Sequence, residues 1–372
     1  MSIFSFLKQS GGEDYVVIDV GSGSVGAAGI SLHKGGKPRI DYTKRIFFTP
    51  KERVQAKTLE TETLNAIKEI AADLRKEGKH AEKVALVLAS PWYNSQTKIV
   101  SIEKDEPFTV TNSFIDEIIE TETSRILEKQ DDDMKLIESS VANIKINGYS
   151  TFAPQGKAAD KIDLSLYVSF GPASFLEKIE EEIEKSFSVK NILHDSFPFV
   201  AISTIQRIFH SDKDFIFIDI ASEITDLVVV KDGSIIGTAS FPVGINTLIR
   251  KVADRFKITP DLALSFVKLF GEGKANEDLN IQIGKLASAV KEEWQAYFYQ
   301  VAPELYGGPA LSNKAFLTSD DGMSGITSSF TSGLFTSSVF LGDKTLSEFC
   351  DFNPHQEHDP FLTIESIYLN SL

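Results

Sequence analysis

One sequence pattern occurs twice in this chain, at positions 200 residues apart. The first copy is VVIDVGSGSVGAAGI (residues 16–30) and the second is FIFIDIASEITDLVVV (residues 215–230). In each copy an apolar run ends in Asp, a branched apolar residue, a small residue and Ser, and a second apolar run follows. Two apolar runs joined by a few small residues are typical of a β-hairpin. The repeat therefore predicts a chain built from two halves that each contain the same hairpin.

The composition limits the class of protein and its compartment. A chain of 372 residues fits two domains or two lobes better than a single core. The formal net charge of −15 argues against nucleic acid as a partner, because it would repel phosphate groups. The single cysteine, Cys350, excludes an intrachain disulfide and is typical of a reducing compartment. The sequence also lacks a signal peptide and an apolar run of roughly 18 residues, so we expect a cytoplasmic protein.

Strand and helix signals alternate through most of the chain, which predicts an α/β fold class. The pattern changes between residues 91 and 160, where strands surround one marked helix, and we expect a small inserted domain there. Ser113 and Asp116 predict the N-terminal cap of that helix. The predicted divisions are an N-terminal segment 1–12, a first lobe 13–82 continued at 161–212, an inserted domain 83–160, a second lobe 213–340 and a C-terminal tail 341–372.

The glycines of the first hairpin also fit a different motif. Gly21, Gly23 and Gly26 have the G-x-G-x-x-G spacing of an NAD-binding Rossmann domain, and Asp41 stands where a ribose-binding acid is expected. That motif requires a helix after the glycines, whereas AAGISLHKGG has the small and apolar residues of a returning strand. A Rossmann domain also gives no reason for the second copy of the pattern. We keep it as an alternative.

Paired hairpins of this kind suit a phosphate-binding cleft. Gly and Ser in a tight turn let backbone N–H groups approach phosphate oxygens closely. An Asp at the entrance of the turn, as at Asp19 and Asp219, is able to hold water on a divalent cation. Two facing hairpins would then hold the phosphates of a nucleotide between two lobes.

Four segments, in their order along the chain, resemble one protein family. VVIDVGSGSVGAAGI is similar to a first phosphate hairpin and EPFTVTNSFIDEIIETETSRIL to a helix of a small inserted domain. The run from FIDIAS to KVADRF is similar to a second phosphate hairpin with its following helix, and AFLTSDDGMSGI to an adenosine loop. The family is the FtsA and PilM branch of the actin, Hsp70 and sugar-kinase superfamily. The resemblance implies an α/β, two-lobed actin-like ATPase fold of duplicated ribonuclease-H-like domains, with a small α+β domain inserted in the first lobe.

The resemblance also implies a site for ATP and Mg, with Asp19 and Asp219 contacting the metal through water. Ala221, Ser222 and Glu223 replace glycines of the family's second hairpin, and Ser265 replaces a ribose-binding Glu. The added side chains and the charge of Glu223 predict weakened or lost ATP binding. The implied nucleotide-binding residues are Asp19, Gly21, Ser22, Gly23, Ser24, Asp219, Ser222, Thr225, Asp226, Gly244, Lys268, Thr318 and Gly322.

The function implied by the resemblance is a cytoplasmic scaffold that links inner-membrane machinery. FtsA-like proteins bind a tubulin-like division protein, and PilM-like proteins bind the cytoplasmic tail of an inner-membrane pilus protein. We expect at most a weak ATPase that self-associates into filaments or dimers and lies peripherally at the inner membrane. The alternative on the same fold is a sugar or acid kinase.

Three further segments receive roles as expectations. The segment MSIFSFLK is a candidate contact with a membrane or a partner, and the inserted domain is a candidate docking module that the cleft does not need. The tail cluster of His355, Glu357, His358 and Asp359 is interpreted as exposed polar residues, with a metal site as the alternative.

Overall fold

The computed structural model describes residues 13–77, 83–151, 153–306, 312–320 and 322–372. The candidate contact segment at residues 1–8 lies outside this part of the chain, and so does Asp321 of the predicted adenosine loop. None of the helices in the described part is long and apolar enough to cross a membrane.

Strands and helices alternate along the described chain. The strands are β1 (Glu13–Val20), β2 (Ser24–Leu32), β3 (Arg39–Phe47), β4 (Lys83–Leu88), β5 (Asn94–Thr109), β6 (Met134–Ile146), β7 (Tyr149–Ser150), β8 (Ala158–Pro172), β9 (Ile192–Ser196), β10 (Phe215–Ile220), β11 (Thr225–Lys231), β12 (Ser234–Phe241), β13 (Lys314–Ser319), β14 (Ser337–Phe340) and β15 (Asp351–Phe352). The helices are α1 (Ala56–Lys76), α2 (Asn112–Leu127), α3 (Ala173–Phe187), α4 (Phe197–Ile208), α5 (Ile245–Phe256), α6 (Pro260–Gly271), α7 (Glu277–Tyr306), α8 (Ser324–Thr331), α9 (Asp343–Leu346) and α10 (Pro360–Leu369).

Two of the sheets repeat the same strand order. The first sheet is ordered β15-β3-β2-β1-β4-β9 and the second β12-β11-β10-β13-β14. In the first sheet β1, β2 and β3 are antiparallel, and β4 pairs in parallel with the free edge of β1. In the second sheet β10, β11 and β12 are antiparallel, and β13 pairs in parallel with β10 in the same way. The register is repeated as well, because Asp19 pairs with Gly26 and Asp219 pairs with Asp226. The predicted duplication is confirmed.

The glycine turn of the first hairpin leads into a strand. Strand β2 pairs with β1 along its whole length, so the helix that a Rossmann motif needs is not formed after Gly26. The NAD-binding alternative is therefore wrong. The two halves even share an irregularity, since a bulge between Gly29 and Ile30 has its counterpart between Val229 and Val230.

Strand β10, in the middle of the second sheet, is buried on both faces. Every residue of β10 is buried, and neighbouring side chains of a strand point to opposite faces. Ile216 and Ile218 pack into a core with α5, α6 and α7 that includes Trp294. Phe215 and Phe217 pack on the other side, into a core that also contains side chains of the first sheet. A strand covered on both faces reads as an uninterrupted apolar run, as this one does.

The C-terminal residues return to the first lobe. Strand β15 pairs with β3, and α10 is buried against the first sheet and α4. The Thr204 hydroxyl donates to the Ile364 carbonyl at 3.0 Å and joins the two helices. The predicted C-terminal tail 341–372 thus contains a buried helix, α10, whose apolar residues complete the core shared by the two sheets.

The third sheet, ordered β5-β8-β6-β7, is covered on one face by α2. Its strands begin at Asn94 and continue to Pro172. The predicted range 83–160 needs correction at its start, because β4 belongs to the first sheet, where it pairs with β1. It needs correction at its end as well, because β8 runs past residue 160.

The small sheet also contacts the second lobe. The Ser95 and Thr238 hydroxyls are 2.7 Å apart, and the Thr97 hydroxyl donates to the Ile236 carbonyl at 3.2 Å. The Asn143 amide donates to the Ser234 hydroxyl at 2.9 Å. These hydrogen bonds attach the inserted region to β12 of the second lobe, and its expected role as a docking module stays a prediction.

The start of α2 differs from the sequence prediction. The N-cap is Thr111, whose hydroxyl accepts a hydrogen bond from the Phe114 backbone N–H at 3.2 Å. Ser113 lies inside the first turn, so the predicted cap at Ser113 and Asp116 is wrong by two residues.

We predict that Thr111→Ala lowers the free energy of unfolding by about 1 kcal/mol, because the Phe114 N–H loses its acceptor. The matched control is Ser113→Ala, which removes a hydroxyl two residues away and should cost less than about 0.5 kcal/mol. Urea denaturation followed by circular dichroism measures both. Equal losses for the two variants would contradict the assignment of the cap.

Candidate functional site

The turns of the two repeated hairpins touch each other. Each turn is closed by a backbone hydrogen bond, from the Gly21 N–H to the Ser24 carbonyl in the first and from the Ala221 N–H to the Ile224 carbonyl in the second. Between the turns, the Glu223 N–H donates to the Ser22 hydroxyl at 3.0 Å. These contacts fill the space in which the sequence prediction placed the phosphates.

Gly23 shows how close the two turns are. A Cβ atom added at Gly23 would lie 2.2 Å from the Ser222 Cβ, which is far inside van der Waals contact. Gly21, in the same turn, has more room, because its nearest neighbour to an added Cβ is the Ser24 carbonyl oxygen at 3.7 Å. The glycine at position 23 is therefore required by the opposite turn of this chain.

The first backbone N–H groups of helix α5 donate hydrogen bonds to the turn of the second hairpin. The Ile245 N–H donates to the Ala221 carbonyl at 3.1 Å and the Asn246 N–H donates to the Ser222 carbonyl at 2.8 Å. A Cβ added at Gly244 would lie 2.4 Å from the Ala221 carbonyl oxygen, so only glycine allows this approach. Free N–H groups at a helix start are what binds phosphate in many proteins. Here two of them are already bonded to the protein.

Glu223 is neutralised within the protein. Its carboxylate accepts a hydrogen bond from the Asn246 amide at 2.7 Å and from the Arg250 guanidinium at 2.9 Å. Asn246 and Arg250 are four residues apart and lie on the same face of α5. The sequence interpretation had Glu223 repelling phosphate, and the structure shows that its charge anchors α5 to the turn.

Arg45 fills the opposite side of the cleft. Its Nη1 lies 2.7 Å from Asp19 Oδ2, and its Nε lies 2.6 Å from Asp359 Oδ2. Nη2 reaches Asp359 Oδ1 at 3.1 Å, and Nη1 also donates to the Ser24 hydroxyl at 2.9 Å. The Arg45 side chain is only 9% exposed. A Cβ at Gly26 would lie 2.6 Å from Nη2, so Gly26 makes the room for the guanidinium.

Sequence reasoning missed Arg45 and placed Asp359 in a different role. Strand β3 was expected, but nothing in the spacing of the sequence connects position 45 with position 359. The only available signal is Gly26, a glycine directly opposite Arg45 in the register of the hairpin.

Several acids surround the Arg45 charge. Burial raises the pKa of Asp19, while Arg45 acts to lower it. Burial lowers the pKa of Arg45, but Asp359 and Asp19 outweigh this effect and raise it well above its usual value. Glu365 of α10 is fully buried beside Asp19, and burial together with the Asp19 charge raises the Glu365 pKa well above its usual range. Arg45 thus stays charged, and burial favours the protonated form of the neighbouring Glu365.

The predicted residues of the second hairpin are bonded within the second lobe or to the first. Asp219 accepts from the Thr318 hydroxyl at 2.8 Å, and burial raises the Asp219 pKa well above its usual value. Ser222 donates to Asp320 at 2.5 Å. The remaining contacts are Thr225 with Val243 (2.6 Å) and Trp294 (2.9 Å), and Asp226 with Ser90 (2.6 Å).

Lys268 and Gly322 lie at the outer part of the cleft. The Lys268 ammonium is 5.9 Å from the centre of the Phe47 ring, and its side chain passes beside Gly322, which has a φ of +76°. Gly322 lines a cleft of about 440 Å³ at the carboxyl ends of β13 and β14. The structure therefore keeps a depression near the predicted adenosine loop, with Asp320 and Asp343 at its wall.

The residues present do not fit Mg and ATP. Asp19 holds Arg45 where a hydrated metal ion would bind, and the two turns leave no room for phosphates between Gly23 and Ser222. Among the described residues, no group of three or more His, Cys, Asp or Glu side chains is arranged to bind a metal ion. The tail cluster is divided, since Asp359 binds Arg45 while the His358 ring stacks on Phe352 at 3.9 Å.

No protein-family model matches the chain, and no curated protein sequence matches it significantly.

Solved structures are similar to it over nearly the whole length. A chain of the PilM-PilN type IV pilus biogenesis complex is 13% identical, with a TM-score of 0.61 and 96% of each chain covered. The ethanolamine utilization protein EutJ from Carboxydothermus hydrogenoformans is 12% identical, with a TM-score of 0.46 over 95% of this chain and 88% of that chain. A Bacteroides thetaiotaomicron protein with an actin-like ATPase fold is 8% identical, with a TM-score of 0.45 over 98% of each chain. The first of these similarities confirms the predicted fold: the chain has the two-lobed actin-like architecture, in a form similar to PilM.

Proposed function

We propose that this protein is an actin-like scaffold of the type IV pilus machinery that works without nucleotide at the cytoplasmic face of the inner membrane. The observation that carries the proposal is the occupied cleft. Arg45 and the touching turns take the positions that the metal ion and the phosphates of ATP would need. What is left of the fold is a rigid surface for other proteins.

The similarity to a chain of the PilM-PilN complex supports the pilus assignment. By analogy of fold, the proposed partner is the cytoplasmic segment of an inner-membrane pilus protein. The formal net charge of −15 favours a basic segment, because opposite charge speeds encounter. A tubulin-like division protein is the competing partner from the same superfamily branch, and self-association into filaments or dimers stays a prediction of the family resemblance.

The kinase alternative receives no support from the site. A kinase needs a carboxylate that is free to act as a base, and metal ions that bridge the phosphates. Asp19 is bound to Arg45, and Asp219 and Asp226 accept hydrogen bonds from Thr318 and Ser90. We therefore propose a non-catalytic role.

We predict that the wild-type chain shows no saturable binding of Mg-ATP or Mg-ADP by calorimetry, up to about 1 mM nucleotide. The variant Glu223→Gly should not gain affinity, because Arg45 still occupies the position beside Asp19. A nucleotide-binding actin-like protein in the same buffer is the positive control. Saturable binding by the wild type would sink the proposal of a nucleotide-independent scaffold.

We predict that the chain binds a synthetic peptide of the cytoplasmic segment of the inner-membrane pilus protein from the same organism, with an affinity that falls as salt is raised. Fluorescence anisotropy measures the binding. A scrambled peptide of equal charge is the control, and the tubulin-like division protein is tested in parallel. Binding to the division protein alone would move the assignment from pilus assembly to cell division.

We predict that Gly23→Ala lowers the free energy of unfolding by about 1–3 kcal/mol, because its Cβ collides with Ser222 across the cleft. Gly21→Ala is the matched control and should cost less, since its nearest neighbour is 3.7 Å away. Adding Ser222→Gly to Gly23→Ala should restore part of the loss, as a double-mutant cycle by urea denaturation measures. Additive losses would show that the two turns do not touch in solution.

A further inference from the structure

Three parts of the fold meet at a buried polar junction far from the hairpin turns in sequence. Strand β6 of the small sheet contributes Glu138, strand β9 of the first sheet contributes Asp195 and Ser196, and α10 contributes Tyr368. Glu138 is 6% exposed and Asp195 is 8% exposed. Two acids from different sheets are therefore enclosed in one place.

One oxygen of Glu138 is fully supplied with donors. Oε1 accepts from the Ser196 N–H at 3.0 Å and from the Ser169 hydroxyl at 3.1 Å, and the Ser196 hydroxyl bonds it as well. The Tyr167 hydroxyl lies 2.9 Å from the Ser196 hydroxyl and extends this network. The first carboxyl oxygen thus joins the small sheet to β9.

The other oxygen, Oε2, is buried and receives no hydrogen bond from an N–H or hydroxyl of the described residues. The Asp195 side chain lies within hydrogen-bonding reach of the Glu138 carboxyl, and Asp195 Oδ1 accepts from the Tyr368 hydroxyl at 2.9 Å. A carboxyl group is able to satisfy another carboxyl group only when one of the two carries a proton. A buried polar atom without a partner is costly, so the geometry itself calls for that proton.

We propose that a proton shared between Glu138 and Asp195 locks the small sheet, the first sheet and the C-terminal helix together, so that this junction loosens as the pH rises. The groups that face the pair support this. They are the Tyr167 hydroxyl from β8, the Tyr368 hydroxyl from α10, and the hydroxyls of Ser169 and Ser196, none of which is a cation. Asp226 of β11 adds a further negative charge near Tyr167.

The nearest basic groups are engaged elsewhere. Nε2 of His194, the residue before Asp195, lies 2.9 Å from Glu180, and Lys135 binds the same carboxylate at 2.7 Å. Burial lowers the pKa of His194, so it is neutral at pH 7. Neither His194 nor Lys135 therefore provides a positive charge that would compensate ionised carboxylates at Glu138 and Asp195.

The direction of the pH effect follows from the shifted acids. Burial raises the pKa of Asp195 to about 6, and burial with the Asp195 charge raises the Glu138 pKa well above its usual range. Near pH 7 the folded junction therefore keeps one proton that the opened junction releases. The stabilisation is fully present below the pKa values of the opened chain and is lost as the pH rises through those of the folded chain.

Amide hydrogen exchange of the full chain tests the proposal, read at β6, β9 and α10 between pH 6.5 and 8.5 and corrected for the intrinsic rates. The opening equilibrium of the wild type should rise with pH, by up to about tenfold per pH unit, which is the limiting slope for one released proton. Glu138→Gln should abolish this slope, because the amide needs no proton to donate to Asp195. Asp195→Asn should do the same from the other side. Glu103→Gln, an exposed acid on β5, is the matched control and should keep the wild-type slope.

A flat wild-type profile, or a wild-type slope retained in Glu138→Gln, would overturn the proposal. A second measurement covers the case in which the junction variants do not fold. In Glu365→Gln protein labelled with ¹³C at the glutamate carboxyls, one signal should keep the chemical shift of a protonated acid at pH 7. The absence of that signal would show that Glu138 is ionised and that no proton is shared.

Discussion

The buried charge of Arg45 is the interaction on which the cleft depends. An ion removed from water costs several kcal/mol unless its hydrogen bonds are met, and here Asp19 and Asp359 meet them from two sides. Asp19 belongs to the first hairpin, Arg45 to strand β3, and Asp359 to the start of α10. Because each partner would leave an uncompensated charge if it moved away, the guanidinium fixes the first turn, the third strand and the last helix relative to one another.

The Arg45 cluster lies within the first lobe, and other contacts join the two lobes. The two sheets share one apolar core through α4 and α10, the turns touch at Gly23 and Ser222, and the small sheet is hydrogen-bonded to β12. These three zones lie at different places along the interface. A hinge motion that opened one of them would have to break another.

The sequence predicts what is local and what is repeated. The hairpins and the helices with a clear apolar face follow from spacing, because neighbouring residues decide them. The two-lobed fold was predicted from the repeat together with the family resemblance. The cap at Thr111 was misplaced by two residues, since Ser113 offers the same hydroxyl chemistry. Arg45 with Asp359, and Glu223 with Arg250, were not predicted as pairs, because a charge pair depends on which elements the tertiary fold brings together. The packing of α10 on the first lobe was not predicted for the same reason. The apolar residues of α10 indicate that the helix is buried, but they do not indicate which element it packs against.

The position of α10 has a consequence for how the chain folds as it is synthesised. Strands β1, β2 and β3 are made first, yet the core that they share with α10 is incomplete until residues 360–369 have been added. At ordinary translation rates this interval is roughly 15–60 s. During that time the core shared by the two sheets lacks α10, although the opposite faces of the sheets are covered by α1 and α3 in the first lobe and by α5, α6 and α7 in the second lobe. Each lobe is therefore able to form its own core early, and the core that joins the two lobes is completed only when the C-terminal residues have been synthesised.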